Sequence, residues 1–148
     1  MIKNLIYQAS LNQLSNRIRT IEERLAALAE SKLQETKSSV GDKYETGRAM
    51  IQIEEEKAQT QLISTQQQLA ALKQVDIERS YVQGCMGSLV HTNYGSYFIA
   101  AGIGRITIDQ DIIYVISPES PIGQLLLHKK EKDVFLFQDR SYTILQIS

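Results

Sequence analysis

The chain has 148 residues, with 16 Lys and Arg against 17 Asp and Glu, a formal net charge of −1. That length allows one ordinary domain or two small ones, and the charge balance argues against a bulk electrostatic binder of duplex nucleic acid or acidic membrane. The single cysteine, Cys85, rules out a disulfide framework or a thiolate zinc site within one chain and fits a reducing compartment. The opening segment MIKNLIYQASLNQ turns polar before a signal-peptide core would be complete. No apolar run approaches the ~20 residues needed to span a bilayer, so the expected setting is soluble and cytoplasmic, with no membrane partner.

Along the chain, Leu11, Leu14, Ile18, Ile21, Leu25 and Leu28 recur at alternating spacings of three and four, a narrow heptad seam. The seam fades at Lys32 and Glu35, and the helix-poor stretch from Lys37 to Gly41 follows. A second register runs through Ile51, Ala58, Leu62, Thr65, Leu69 and Leu72, with Glu55 interrupting it. Two helix-forming segments joined by a short loop pack antiparallel, seam on seam. At ~1.5 Å per residue, arms of about thirty residues give a rod of roughly 45 Å, better suited to reaching than to enclosing. A coiled-coil adaptor is the plainer reading of the heptads alone. The Gln-rich face (Gln59, Gln61, Gln66, Gln67, Gln68) reads as solvated surface.

Composition changes near 78–87: both prolines and six of the eight glycines lie beyond Val82. The expected organisation is a helical hairpin over 1–79, with an acidic tip near 38–47, and a second domain over 80–148. Strands are predicted at 88–92 and 96–101 around Asn93-Tyr94-Gly95, and at 105–109 and 112–117 around Gln110-Asp111. A short helix is predicted over 122–128, introduced by Ser120 as N-cap and Pro121 at the first helical position. A terminal hairpin is predicted from 134–138 and 142–147 around Asp139-Arg140-Ser141. The fold class is α+β: a long antiparallel coiled-coil hairpin followed by a small antiparallel sheet with one short helix packed on it.

Four segments resemble the GreA/GreB transcript-cleavage factors of bacterial transcription. Gly87-Ser88-Leu89-Val90 is similar to that family's Gly-Ser-x-Val. Ser120 to Asp133 resembles its Ser-Pro-x-x-x-x-Leu-Leu-Gly-Lys-x-x-Gly-Asp, with His128 and Lys132 standing where glycines are usual. Tyr142 to Ile147 resembles its Tyr-x-Ile-Leu-x-Ile ending. Gly41-Asp42-Lys43-Tyr44-Glu45 resembles its Gly-Asp-x-x-Glu, whose Asp and Glu are the functional carboxylates. The family continues with Asn-x-Glu-Tyr where this chain has Thr46-Gly47-Arg48-Ala49.

The resemblance implies an FKBP-like C-terminal domain that docks on RNA polymerase at its secondary channel while the hairpin passes inward. It implies no cofactor of the chain's own and no small-molecule substrate. Nascent RNA and DNA would be met only within the elongation complex. It also implies that Asp42 and Glu45 share a magnesium ion with the polymerase and help it cleave backtracked RNA, so that the chain is not an enzyme alone. Magnesium is often held by only one or two carboxylates, which suits a lent pair. A binder of the same channel that does not promote cleavage is the alternative, because the residues after Glu45 differ.

Asp42 and Glu45 also fit an Asp variant of the capping box, and the two readings can coexist. Lys37, Lys43 and Arg48 are candidates for contact with RNA or with acidic groups, or for a solvated helix end. His91 and His128 lack clustered partners for a metal. Cys85 reads as a boundary or core residue rather than a nucleophile. Gly102-Ile103-Gly104 is too short for a phosphate loop, and no prolyl-isomerase pocket motif is present.

Overall fold

The computed structural model describes residues 2–37 and 41–148, the side chains of 36, 37 and 41–44 excepted. Helix α1 spans Ile2–Lys37 and α2 spans Gly41–Lys73. Six strands follow: β1 (Leu89–Thr92), β2 (Gly95–Ile99), β3 (Gly104–Ile108), β4 (Asp111–Ile116), β5 (Val134–Phe137) and β6 (Arg140–Ile147). Helix α3 (Pro121–Leu126) lies between β4 and β5 in the chain. Packing groups the residues differently from composition. One compact unit is Met1–Gln13 with Gln68–Ser148, and the other is Leu14–Gln67.

Within the unit Leu14–Gln67, the heptad seam behaves as its spacing requires. Leu14 and Ile21 of α1 and Ala58 and Thr65 of α2 are buried, and Ile18, Leu25, Ile51 and Leu62 are half-buried. Thr65 satisfies its hydroxyl by donating to the Gln61 carbonyl at 2.7 Å, so a polar residue can occupy the seam without leaving a group unbonded. The predicted fading at Lys32 and Glu35 is a change of chemistry, not an end of the helix. Both residues are half-buried and α1 continues to Lys37.

In the other unit the strands form one sheet in the order β3-β4-β2-β1-β6-β5. All neighbours are antiparallel except β2 and β4, which pair in parallel from Ser96↔Ile113 to Ile99↔Ile116. The sheet is thus mostly antiparallel, as expected, with this one parallel pair inside it. The hairpin β3–β4 folds back so that its second strand, not its first, lies beside β2. Helix α3 places Ile122 and Leu126 in a core with Val90, Tyr97, Ile99, Phe135, Tyr142, Ile144 and Ile147, which covers one face of the sheet. Side chains alternate along a strand, so Leu89, Phe98, Ile113 and Val115, all within 1% of full burial, belong to the opposite face. The helix bases lie in the same unit, with Ile6 and Leu72 fully buried and Gln68 Nε2 donating to the Gly102 carbonyl at 2.7 Å.

The turns follow local chemistry. Ser120 caps α3 by accepting from the Gly123 amide at 3.1 Å, and Pro121 takes the first helical position, as predicted. The β5–β6 turn is Gln138-Asp139, both with positive φ (49° and 63°), the pattern of a two-residue type I′ hairpin. Gly87 has φ of 91° and supplies the bend before β1. Ser88, fully buried beside it, donates to the Cys85 carbonyl at 2.7 Å and accepts from the Cys85 amide at 3.0 Å.

His128 and Lys132 carry φ of 67° and 74°, the left-handed region that glycine tolerates best. Their amides hold them there, donating to the carbonyls of Gly84 and Ile144, each at 2.8 Å. The positions at which the resembled motif has glycine are thus positions at which the backbone favours one. Replacing Lys132 by Gly is expected to raise unfolding free energy by about 1 kcal/mol, and Gly87→Ala to lower it by a similar amount. Chemical denaturation of the two variants checks the opposite signs.

Candidate functional site

The residues that sequence singles out cluster where α1 ends and α2 begins. Lys37 is the last residue of α1. Because α2 begins at Gly41, Asp42 is its second residue and Glu45 its fifth. Both are therefore helical, and i, i+3 positions share one face of a helix. The capping-box expectation for Asp42 and Glu45 rests on the Asp42 side chain, which lies outside the described residues. The helix dipole still favours an acid in that first turn. The side chains of Lys37, Asp42 and Lys43 lie outside the described residues. Glu45 is exposed, Arg48 is half-buried, and each of them lies on α2.

Next to this pair the two helices meet through polar groups. A Cβ built on Gly47 would lie 2.6 Å from Glu35 Oε2 and 2.8 Å from its Cδ, so the Glu35 carboxylate occupies the space that the missing side chain leaves. Lys32 and Glu55, one interruption from each heptad register, face each other with Nζ and Oε2 3.5 Å apart. Farther along, Arg24 donates to Glu54, and this hydrogen bond is the main cause holding the Glu54 carboxyl below its ordinary range. Sequence reasoning missed the Glu35–Gly47 approach and the Lys32–Glu55 pairing. The signal was present in the spacing: Glu35 lies one heptad beyond Leu28, and Lys32 and Glu55, at breaks in the two seams, carry opposite charge.

A shallow groove of about 690 Å³ runs between the helices in this unit, lined by Leu25, Ala29, Lys32, Gln52, Glu55 and neighbours. Its walls mix Leu25 and Ala29 with polar and charged side chains, unlike the predominantly apolar lining of most small-molecule sites. Among the described residues no group of three or more His, Cys, Asp and Glu is placed to hold a metal. None of the described helices is long and apolar enough to cross a membrane.

The remaining candidates lie in the sheet unit. His91 Nδ1 is 2.7 Å from the Ser96 hydroxyl across the β1–β2 ladder, a structural contact. His128 serves the left-handed turn described above. Gly104 has positive φ at the start of β3, consistent with the turn reading of Gly102-Ile103-Gly104. Cys85 sits in a small cleft with Arg79, Tyr81 and Gln83. The Tyr81 ring has two cations near it, Lys3 Nζ at 5.0 Å and the Arg79 guanidinium at 5.2 Å from its centre. Lys3 is nearly buried and donates to the Arg79 carbonyl at 2.8 Å. Burial lowers the Lys3 pKa, opposed by the nearby Cys85 and Asp76.

No family model and no curated protein matches the sequence significantly. A solved structure, that of the transcription factor Gfh1, aligns with 94% of this chain and 93% of its own at 18% identity and a TM-score of 0.38.

Burial pushes the Cys85 thiol above its ordinary value of 9.0, against the opposing pull of Arg79 and Lys3. It should therefore be alkylated by iodoacetamide at pH 8 more slowly than free cysteine, whose thiolate fraction is larger. The raised value also adds a stability component that is present below pH 9 and lost as pH rises through the folded value, because the folded state then holds the proton more tightly. Comparing alkaline denaturation of native protein and Cys85→Ala isolates it: the variant should lose less stability above pH 9.

Proposed function

We propose that the chain is a transcription factor that acts on RNA polymerase, entering the secondary channel with its helical hairpin and stimulating cleavage of backtracked RNA. The observation that carries this reading is the position of Asp42 and Glu45. They stand one turn apart at the start of α2, at the closed end of the hairpin, in the segment that resembles the Gly-Asp-x-x-Glu of transcript-cleavage factors. The three resembling segments in the sheet unit support the same family, and the chain would act in the cytoplasm.

Two carboxylates are too few to form a metal site alone but suit a shared one, since magnesium commonly takes one or two carboxylates together with substrate phosphates and water. Bound in the polymerase, the ion would supply activation of the attacking water and stabilisation of the leaving oxygen. Asp42 and Glu45 would contribute oxygen ligands and orient that water from one helix face. The exposure of Glu45 suits a group whose partner is another molecule. The chain would thus complete another enzyme's site without catalysing on its own.

A second reading, occupancy of the channel without cleavage, is favoured by one feature. Where transcript-cleavage factors carry Asn-x-Glu-Tyr, this chain has Thr46-Gly47-Arg48-Ala49, and Gly47 receives the Glu35 carboxylate. The surface beside the acidic pair is therefore built differently.

Backtracked elongation complexes of the cognate polymerase distinguish the two. Addition of the protein is expected to release short RNA 3′ fragments. Asp42→Asn with Glu45→Gln should slow release by at least ~10-fold, the scale for lost support of a bound metal, while polymerase binding is kept. Binding without any release would select the second reading, and absence of binding would reject both.

A further inference from the structure

The unit Leu14–Gln67 is stabilised unevenly along its length. Four seam residues are buried in its first part: Leu14 and Ile21 on α1, and Ala58 and Thr65 on α2. Over 22–35 and 45–57, by contrast, every residue is half-buried or exposed. In that stretch the half-buried Leu25, Leu28 and Ile51 share the seam with Lys32, Glu35 and Glu55, Gly47 lies beside it, and the apolar side chains of Leu33, Met50 and Ile53 are more than half exposed.

The polar contacts there do not replace the missing apolar burial. Ion pairs reachable by water contribute little net stability, because ordering and desolvating the two groups offsets most of their attraction. Lys32 and Glu55 are such a pair, with side chains 37% and 24% exposed. Gly47, inside α2, gives that helix more backbone freedom to lose than alanine would, and the space it leaves is taken by a flexible carboxylate rather than by a packed apolar group. The two stretches are 14 and 13 residues long, close to the ~12–15 residues below which a lone helix is marginal in water.

We propose that residues 22–35 and 45–57 form a separately opening segment, which loses its interhelical pairing and backbone hydrogen bonds from the native state while 14–21 and 58–67 stay folded. Opening removes no fully buried side chain from its place, so it requires far less free energy than global unfolding. The segment holding Glu45 can thereby adjust to a surface it meets without disturbing the buried part of the seam. The opening is a property of the isolated chain and stands apart from the function proposed above.

Hydrogen–deuterium exchange of the full-length protein, followed peptide by peptide and corrected for sequence, tests this directly. Amides in 22–35 and 45–57 should exchange at least about tenfold faster than those in 14–21 and 58–67. Lys32→Leu combined with Glu55→Leu, which makes that layer of the seam apolar, should slow the faster set about tenfold and leave the slower set unchanged. Gly47→Ala, whose methyl displaces only the flexible Glu35 carboxylate and which adds helix propensity without adding an apolar seam, should slow the faster set about fivefold and serves if the double variant self-associates. Equal exchange along the native hairpin would overturn the proposal. So would variants that slow both sets together or neither, because opening would then be global or insensitive to the seam.

Discussion

Two helices packed only on each other can bury no more than a narrow stripe of each, and this constraint governs the N-terminal half of the molecule. In Leu14–Gln67 the stripe is one seam wide, so each seam position decides how firmly its layer is held. Leu14, Ile21, Ala58 and Thr65 use those positions for burial. Lys32, Glu35 and Glu55 use them for charge. A third helix or a sheet face could have compensated for a polar layer, but among the described residues of this unit there are only the two helices. The sequence of the seam is therefore read almost directly as a stability profile.

The sheet unit obeys the opposite condition, because it has two faces to cover. One face is closed by α3 and the aromatic group of Tyr97, Phe135 and Tyr142, in which Phe135 and Tyr142 stack with centres 5.1 Å apart. With so much buried, backbone geometry at the turns is dictated by the fold and not by the residue. That is why His128 and Lys132 keep left-handed conformations that their side chains disfavour. A compact unit can impose that strain when several hydrogen bonds define the path, as the exchange between Gly84 and residues 128 and 129 does here.

This contrast explains what was legible in the sequence. Periodicity located both long helices, every strand to within two residues, and the capped helix after Ser120, because each depends on near neighbours. The parallel pairing of β2 with β4 was not legible. It depends on which strand of the β3–β4 hairpin lies inward, a choice made by packing over many residues rather than by any local signal. The Glu35–Gly47 approach was hidden for a related reason. A glycine inside a helical pattern says that something needs room, but not which side chain takes it.

The same distinction separates the motifs that carry the resemblance. Gly87 and Ser88 have complete structural explanations, as a left-handed bend and a hydrogen-bonded buried hydroxyl. Ser120 and Pro121 start a helix, and His128 and Lys132 occupy left-handed turns. Tyr142, Ile144 and Ile147 fill the core. Such residues would be required by this fold whatever the protein does, so they speak to architecture. Asp42 and Glu45 are different. Asp42 stands in the first turn of α2, where the helix dipole favours an acid. No buried layer or turn of the described structure calls for Glu45, which is exposed. Glu45, one turn along α2 from Asp42, is thus a position that the described packing leaves open, and a demand on it would come from outside the fold.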